Sequence, residues 1–223
     1  MEEALSSKMD IKAFIFDMDG LLFDSERIVQ RSWEMAGDEL GIPHMGEVIY
    51  HTLGMNRTGR NEYFRKYIRE DFPFEEFGKL TRDNFWKIVD KEGLPLKKGT
   101  KELLAYGKSQ GHKMAVATSS SREYAMGNLI RAGIDSYFDS VVCGDMVKKA
   151  KPDPEIYQKA CESLGIQPEY CMAFEDAPGG ILSAHQAGMH VIMVPDLVQP
   201  TQEIRELTYR VCDSLADVIG ILN

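Results

Sequence analysis

Five short apolar runs, at 11–16, 113–118, 140–143, 170–174 and 190–194, alternate with helical patterns at 100–110, 122–132, 154–164 and 178–187. Apolar runs this short, bounded by turn residues, suit strands buried on both faces. Strand and helix in strict alternation predict a Rossmann-like α/β core, a parallel sheet with helices on both faces. Between residues 25 and 93 the rhythm stops. That stretch offers no good strand candidate, and its helical patterns, at 26–40, 45–53, 57–70 and 74–91, are punctuated by Gly41-Ile42-Pro43 and Asp71-Phe72-Pro73 and closed by Gly93-Leu94-Pro95. The expected organisation is therefore an α/β core at 1–24 and 94–223, interrupted after its first strand by a small α-helical cap domain at 25–93.

The chain has 223 residues, of which 43% are hydrophobic, enough for a substantial core. Its formal charge of -9 argues against nucleic acid as a partner, because phosphate contacts dominate such affinity. A local metal and a few cations can still hold a phosphorylated small molecule against an acidic surface. No apolar run approaches the roughly 18 residues of a membrane span, which argues against a membrane partner. The polar, acidic start MEEALSSKMD does not resemble a signal peptide, so a cytoplasmic location is expected. Cys143, Cys161, Cys171 and Cys212 form no C-x-x-C pair and are read as reduced and structural. The five histidines show no ligand spacing, and Trp33 and Trp86 fall on helical patterns as packing residues.

In open parallel sheets, ligands bind beyond the carboxyl ends of the strands. The first strand delivers Asp17 and Asp19 there, the second Thr118-Ser119-Ser120, and a later one Glu175-Asp176, while Lys151 precedes a helix. Crowded carboxylates raise one another's pKa, and a hard divalent ion with oxygen ligands relieves the crowding. Hydroxyls and N–H groups at a helix start suit phosphate oxygens, and a lysine adds a point charge. The set calls for Mg²⁺ plus a phosphate. Asp17 can also serve as a nucleophile, with Asp19 moving protons. Each part has a plainer reading: a solvated turn for Asp17 and Asp19, a helix cap for 118–120, and an exposed N-terminal cap for Glu175-Asp176. Asp24 either binds substrate or caps the first cap helix, and the cap is the preferred reading.

FDMDGLLFDSE (16–26), ATSS (117–120), KPDPEIY (151–157) and FEDAPGG (174–180) resemble, in order and spacing, the four motifs of the haloacid dehalogenase superfamily. The resemblance covers nearly the whole chain and is nearest to the helical-cap phosphatase and β-phosphoglucomutase branch. It implies a phosphoric monoester hydrolase that cleaves a small phosphorylated metabolite, such as a sugar phosphate, with Mg²⁺ as cofactor. It implies Asp17 as nucleophile and metal ligand, and Asp19 as general acid and base with its backbone carbonyl on the metal. Thr118 and the Ser119 N–H would hold the phosphate, with Gly20 turning the backbone around it. Lys151 would neutralise charge; Asp176 would ligate the metal, and Glu175 would support it directly or through water. Gly54-Met55-Asn56-Arg57 resembles the Gly-x-x-Arg cap loop that contacts the distal part of the substrate. The mutases of this branch carry a cap histidine where this chain has Val29, which counts against the alternative, a phosphosugar mutase. A phospho-accepting regulatory module also places an Asp at a strand end but has no helical insert.

Overall fold

The computed structural model describes residues 10–52 and 57–222. Strand β1 (Ala13–Phe16) is followed by four helices, α1 (Ser25–Glu39), α2 (Met45–His51), α3 (Arg57–Tyr67) and α4 (Phe74–Glu92). The chain then alternates through α5 (Thr100–Ser109), β2 (Lys113–Thr118), α6 (Arg122–Ala132), β3 (Ser140–Cys143), α7 (Glu155–Leu164), β4 (Cys171–Glu175), α8 (Pro178–Gln186) and β5 (His190–Met193). It ends with α9 (Gln202–Glu206), β6 (Arg210–Val211) and α10 (Leu215–Leu222). The strands form one parallel sheet in the order β3-β2-β1-β4-β5-β6.

Strand β1 lies inside the sheet, paired to β2 on one side and β4 on the other. Its side chains alternate between two cores, as a strand's period of two requires. Phe14 and Phe16 pack with Leu103, Met114, Val116, Leu129, Phe174 and Val218, under α5, α6 and α10. Ala13 and Ile15 pack with Ala115, Ala117, Ile156, Ala160, Ile181 and Val191, under α7 and α8. The sheet is thus covered on both faces, which is why its strands read as unbroken apolar runs.

The helices after β1 have a core of their own, with Trp33, Ala36, Met45, Ile49, Phe64, Phe72 and Phe77 at its centre. Their first and last members are also rooted in the sheet's core, because Ile28 of α1 and Ile88 and Val89 of α4 join Phe16 and Leu22 there. The two connecting segments run side by side: Asp24 N–H donates to Pro95 O at 2.9 Å, and Lys97 N–H to Leu22 O at 2.9 Å. Trp33 packs edge-on against Phe64 and Phe77, as expected of a packing residue. Trp86 departs from that expectation. It is 42% exposed and lies in T-shaped contact with Phe85 and Tyr124 rather than within a core. Among the described residues, no helix is long and apolar enough to cross a membrane.

Candidate active site

Asp17 directly follows β1, where its N–H donates to Phe174 O at 3.0 Å and continues the ladder to β4. Glu175 ends β4 and Asp176 follows it. Parallel pairing of β1 with β4 therefore brings three carboxyl groups from two chain segments to one sheet end. One oxygen from each lies within 4.8 Å of the others. Lys151, from the loop before α7, completes the cluster. Its Nζ donates to Asp17 Oδ1 at 2.6 Å, to Glu175 Oε1 at 2.6 Å and to Ala117 O at 3.0 Å. Asp17, Glu175 and Lys151 are almost fully shielded from solvent.

Burial, foremost, pushes the Asp17 carboxyl up from 3.8 to about 7; Glu175 and Asp19 push the same way, against Lys151. Asp176 is likewise raised, by burial and then by Asp17 and Glu175. Burial works against the Lys151 ammonium, but its two carboxylate partners outweigh that and hold it above its usual range. Were all three carboxyl groups ionised, the single ammonium would leave an excess of buried negative charge, which is why Asp17 and Asp176 hold their protons more tightly without a cation. A hard divalent cation fits this donor set, all oxygen and all acidic.

Two glycines make room for the cluster. Gly20 has φ +82°, a left-handed conformation, and a Cβ there would lie 2.3 Å from Asp176 Oδ2. Gly180, in the first turn of α8, faces the Glu175 carboxyl, where a Cβ would lie 1.9 Å from its carbon. Thr118 ends β2, is 1% exposed, and accepts from Ser120 N–H at 3.1 Å through Oγ1. Ser119 follows it, with an exposed side chain. Neither caps α6; Ser121 does, accepting from Tyr124 N–H at 3.4 Å.

Asp19 stands apart from the three-carboxyl cluster. Its Oδ2 accepts from Ser120 Oγ at 2.7 Å and its Oδ1 from the Tyr124 hydroxyl at 3.0 Å. Asp24 occupies the residue before α1 but makes no side-chain cap bond, which corrects the capping expectation. Its carboxylate lies 4.0 Å from Arg27, beside a cavity of about 180 Å³ that it lines with Glu26, Gln30 and Tyr50. Arg57 begins α3, but its side chain, like all of Gly54, lies outside the described residues.

Four contributing residues are not singled out by sequence. Tyr157, buried in α7, donates to Glu175 Oε1 at 2.5 Å. It is the last residue of the KPDPEIY stretch, but its spacing reads as ordinary core. Lys97 and Asp196 pair at 2.7 Å behind Gly20 across 99 residues of sequence, a partnership no local pattern reveals. Tyr124 reaches Asp19 from α6 in the same way.

The profile of the family described as haloacid dehalogenase-like hydrolase matches residues 14–194. The phosphorylated carbohydrates phosphatase of Thermotoga maritima is 33% identical over 182 residues, covering 82% of this chain and 84% of its own. Hexitol phosphatase A of Escherichia coli is 32% identical over 186 residues, covering 83% and 84%. The crystal structure of CbbY from Rhodobacter sphaeroides in complex with xylulose-(1,5)-bisphosphate superposes with a TM-score of 0.70 at 26% identity, covering 93% and 96%. The motifs, the parallel sheet and these similarities agree: the chain belongs to the haloacid dehalogenase-like hydrolase family and is a phosphoric monoester hydrolase.

Proposed function

We propose that the chain is a Mg²⁺-dependent phosphatase of small phosphorylated metabolites, sugar phosphates and similar phosphomonoesters, acting in the cytoplasm through an aspartyl-phosphate intermediate, an acyl phosphate formed on Asp17. The observation that carries this reading is the convergence of Asp17, Glu175 and Asp176 around Lys151 at the end of β1 and β4. The substrate class rests on relatives whose names specify phosphorylated carbohydrates and hexitols. Four unpaired, buried cysteines agree with a reducing compartment.

Asp17, Asp176, the Asp19 backbone carbonyl and Glu175, directly or through water, would hold the ion. When bound, Mg²⁺ supplies positive charge to the transferring phosphoryl group and offsets the buried carboxylates. Asp17 attacks phosphorus; a bond forms to its carboxylate oxygen as the bond to the leaving alcohol breaks. Asp19 gives a proton to that departing oxygen. It then takes one from the water that attacks the Asp17 phosphate, and the Asp17 oxygen leaves as carboxylate. Lys151 keeps Asp17 oriented and offsets charge as it develops. Thr118, the Ser119 N–H and Gly20 hold the phosphate oxygens, while Gly54 and Arg57 contact the distal part of the substrate. The helical segment at 25–93 acts as a cap over the site.

Phosphate release is measured on a panel of sugar, polyol and nucleoside phosphates with Mg²⁺ or with EDTA, for the wild type and Asp17→Asn. Release that needs the ion and vanishes in the variant is expected. Undiminished release by Asp17→Asn overturns the assigned nucleophile. β-Glucose 1-phosphate separates the mutase alternative, since glucose 6-phosphate rather than free phosphate would then accumulate.

A further inference from the structure

Asp19, the residue read above as proton donor and acceptor, has both carboxylate oxygens engaged by hydroxyls. Ser120 Oγ donates to Oδ2 at 2.7 Å from the loop after β2, and the Tyr124 hydroxyl donates to Oδ1 at 3.0 Å from the first turn of α6. The Tyr124 ring is itself braced from outside the sheet. Phe85 and Trp86, neighbours on α4, lie 6.2 and 5.6 Å from its centroid.

We propose that Tyr124 is a positioning residue for proton transfer, holding the Asp19 carboxyl in one orientation through its hydroxyl while Phe85 and Trp86 hold its ring. This rests on the assignment of proton transfer to Asp19. An Asp side chain free to rotate about two bonds spends little time aimed at a leaving oxygen. Fixing both of its oxygens removes that freedom. A hydroxyl can donate or accept, so the Tyr124 and Ser120 contacts persist whether Asp19 carries the proton or has given it up. The brace comes from α4, the last helix of the inserted segment. The seating of that segment on the core is thereby tied to the aim of Asp19.

The test exploits the leaving group. Departure of an alkoxide needs a proton, whereas p-nitrophenolate leaves without one. Tyr124→Phe removes only the hydroxyl oxygen. On alkyl phosphates its kcat/KM, which reports the steps through departure of the alcohol and not the later hydrolysis at Asp17, is expected to fall by about tenfold to a hundredfold. On p-nitrophenyl phosphate the fall is expected to be several times smaller. In an Asp19→Asn background the substitution should have no further effect on alkyl phosphates, because the group it aims is gone. Thermal unfolding of each variant checks that the fold is retained. Equal losses on both substrates, or losses that multiply with Asp19→Asn, overturn the positioning role. Asp19→Asn with undiminished alkyl phosphate turnover would overturn the assignment of Asp19 as well, a result distinct from a failure of Tyr124→Phe alone.

Discussion

Replacing Lys151 with Met keeps the length of the stem but removes an ammonium held between two buried carboxylates. The lost contacts are 2.6 Å to Asp17, 2.6 Å to Glu175 and 3.0 Å to Ala117 O, at a side chain only 10% exposed. Deleting one partner of a buried ion pair costs about 3–5 kcal/mol. Part of this cost depends on pH. Asp17 titrates near 7 with Lys151 present, and the ammonium is what lowers it towards that value. Without Lys151 the carboxyl titrates higher. At pH 6 Asp17 is protonated in both proteins, so proton linkage cancels. At pH 8 the wild-type group is ionised. The variant retains a proton that the unfolded chain has already released, which adds ~1.4 kcal/mol per pH unit above the wild-type midpoint. The expected destabilisation is about 3 kcal/mol at pH 6 and about 4–5 kcal/mol at pH 8. Urea unfolding in EDTA at the two pH values reads it directly. Saturating Mg²⁺, proposed above to bind these carboxylates in the folded state, is expected to narrow the gap. A loss below about 1 kcal/mol at pH 8, or one equal at both pH values, refutes the picture of a charge-compensated buried cluster.

Other perturbations test the same site. Gly180→Ala should stabilise an ordinary helix by up to about 1 kcal/mol. Here the new methyl falls on the Glu175 carboxyl, so unfolding should show a net loss and phosphate release should drop by about tenfold or more. A stabilised, fully active Gly180→Ala protein would contradict the contact. Asp17→Asn removes a carboxyl whose folded pKa, about 7, exceeds its ordinary 3.8. A raised acid costs the fold more as pH climbs between those two values. In EDTA, the variant's melting temperature relative to wild type should therefore rise from pH 4 to 7 and then level off. A difference independent of pH would show that Asp17 is not shifted.

Much of the core was legible in the linear sequence because buried parallel strands leave unbroken apolar runs, and helices leave a 3.6-residue period. The runs at 113–118 and 140–143 coincide with β2 and β3, and the pattern at 122–132 with α6. The sequence patterns do not reveal the terminal α9, β6 and α10. The two residues of β6 and the five of α9 are too short for either period to register, and β6 is added only because β5 offers its edge. The four patterns expected between 25 and 93 correspond to α1 to α4; three starts coincide, and the other ends differ by one to three residues where caps and turns decide them.

At the site, local sequence determined which chemistry was on offer: acidic pairs at strand ends, a hydroxyl cluster, and a lysine before a proline. Those groups can be read one strand at a time, because a strand's end is a local property. What only the tertiary structure decided is who meets whom. The register of β1 against β4 sets Asp17 beside Glu175 and Asp176. Folding of the loop after β3 brings Lys151 between them across 134 residues. Tyr124 is 105 residues from Asp19, and in sequence it is one more aromatic on a helix. Hydrogen bonds and ion pairs fall off within a few ångströms. Their partners are therefore chosen by the packing of distant segments, which no local period encodes.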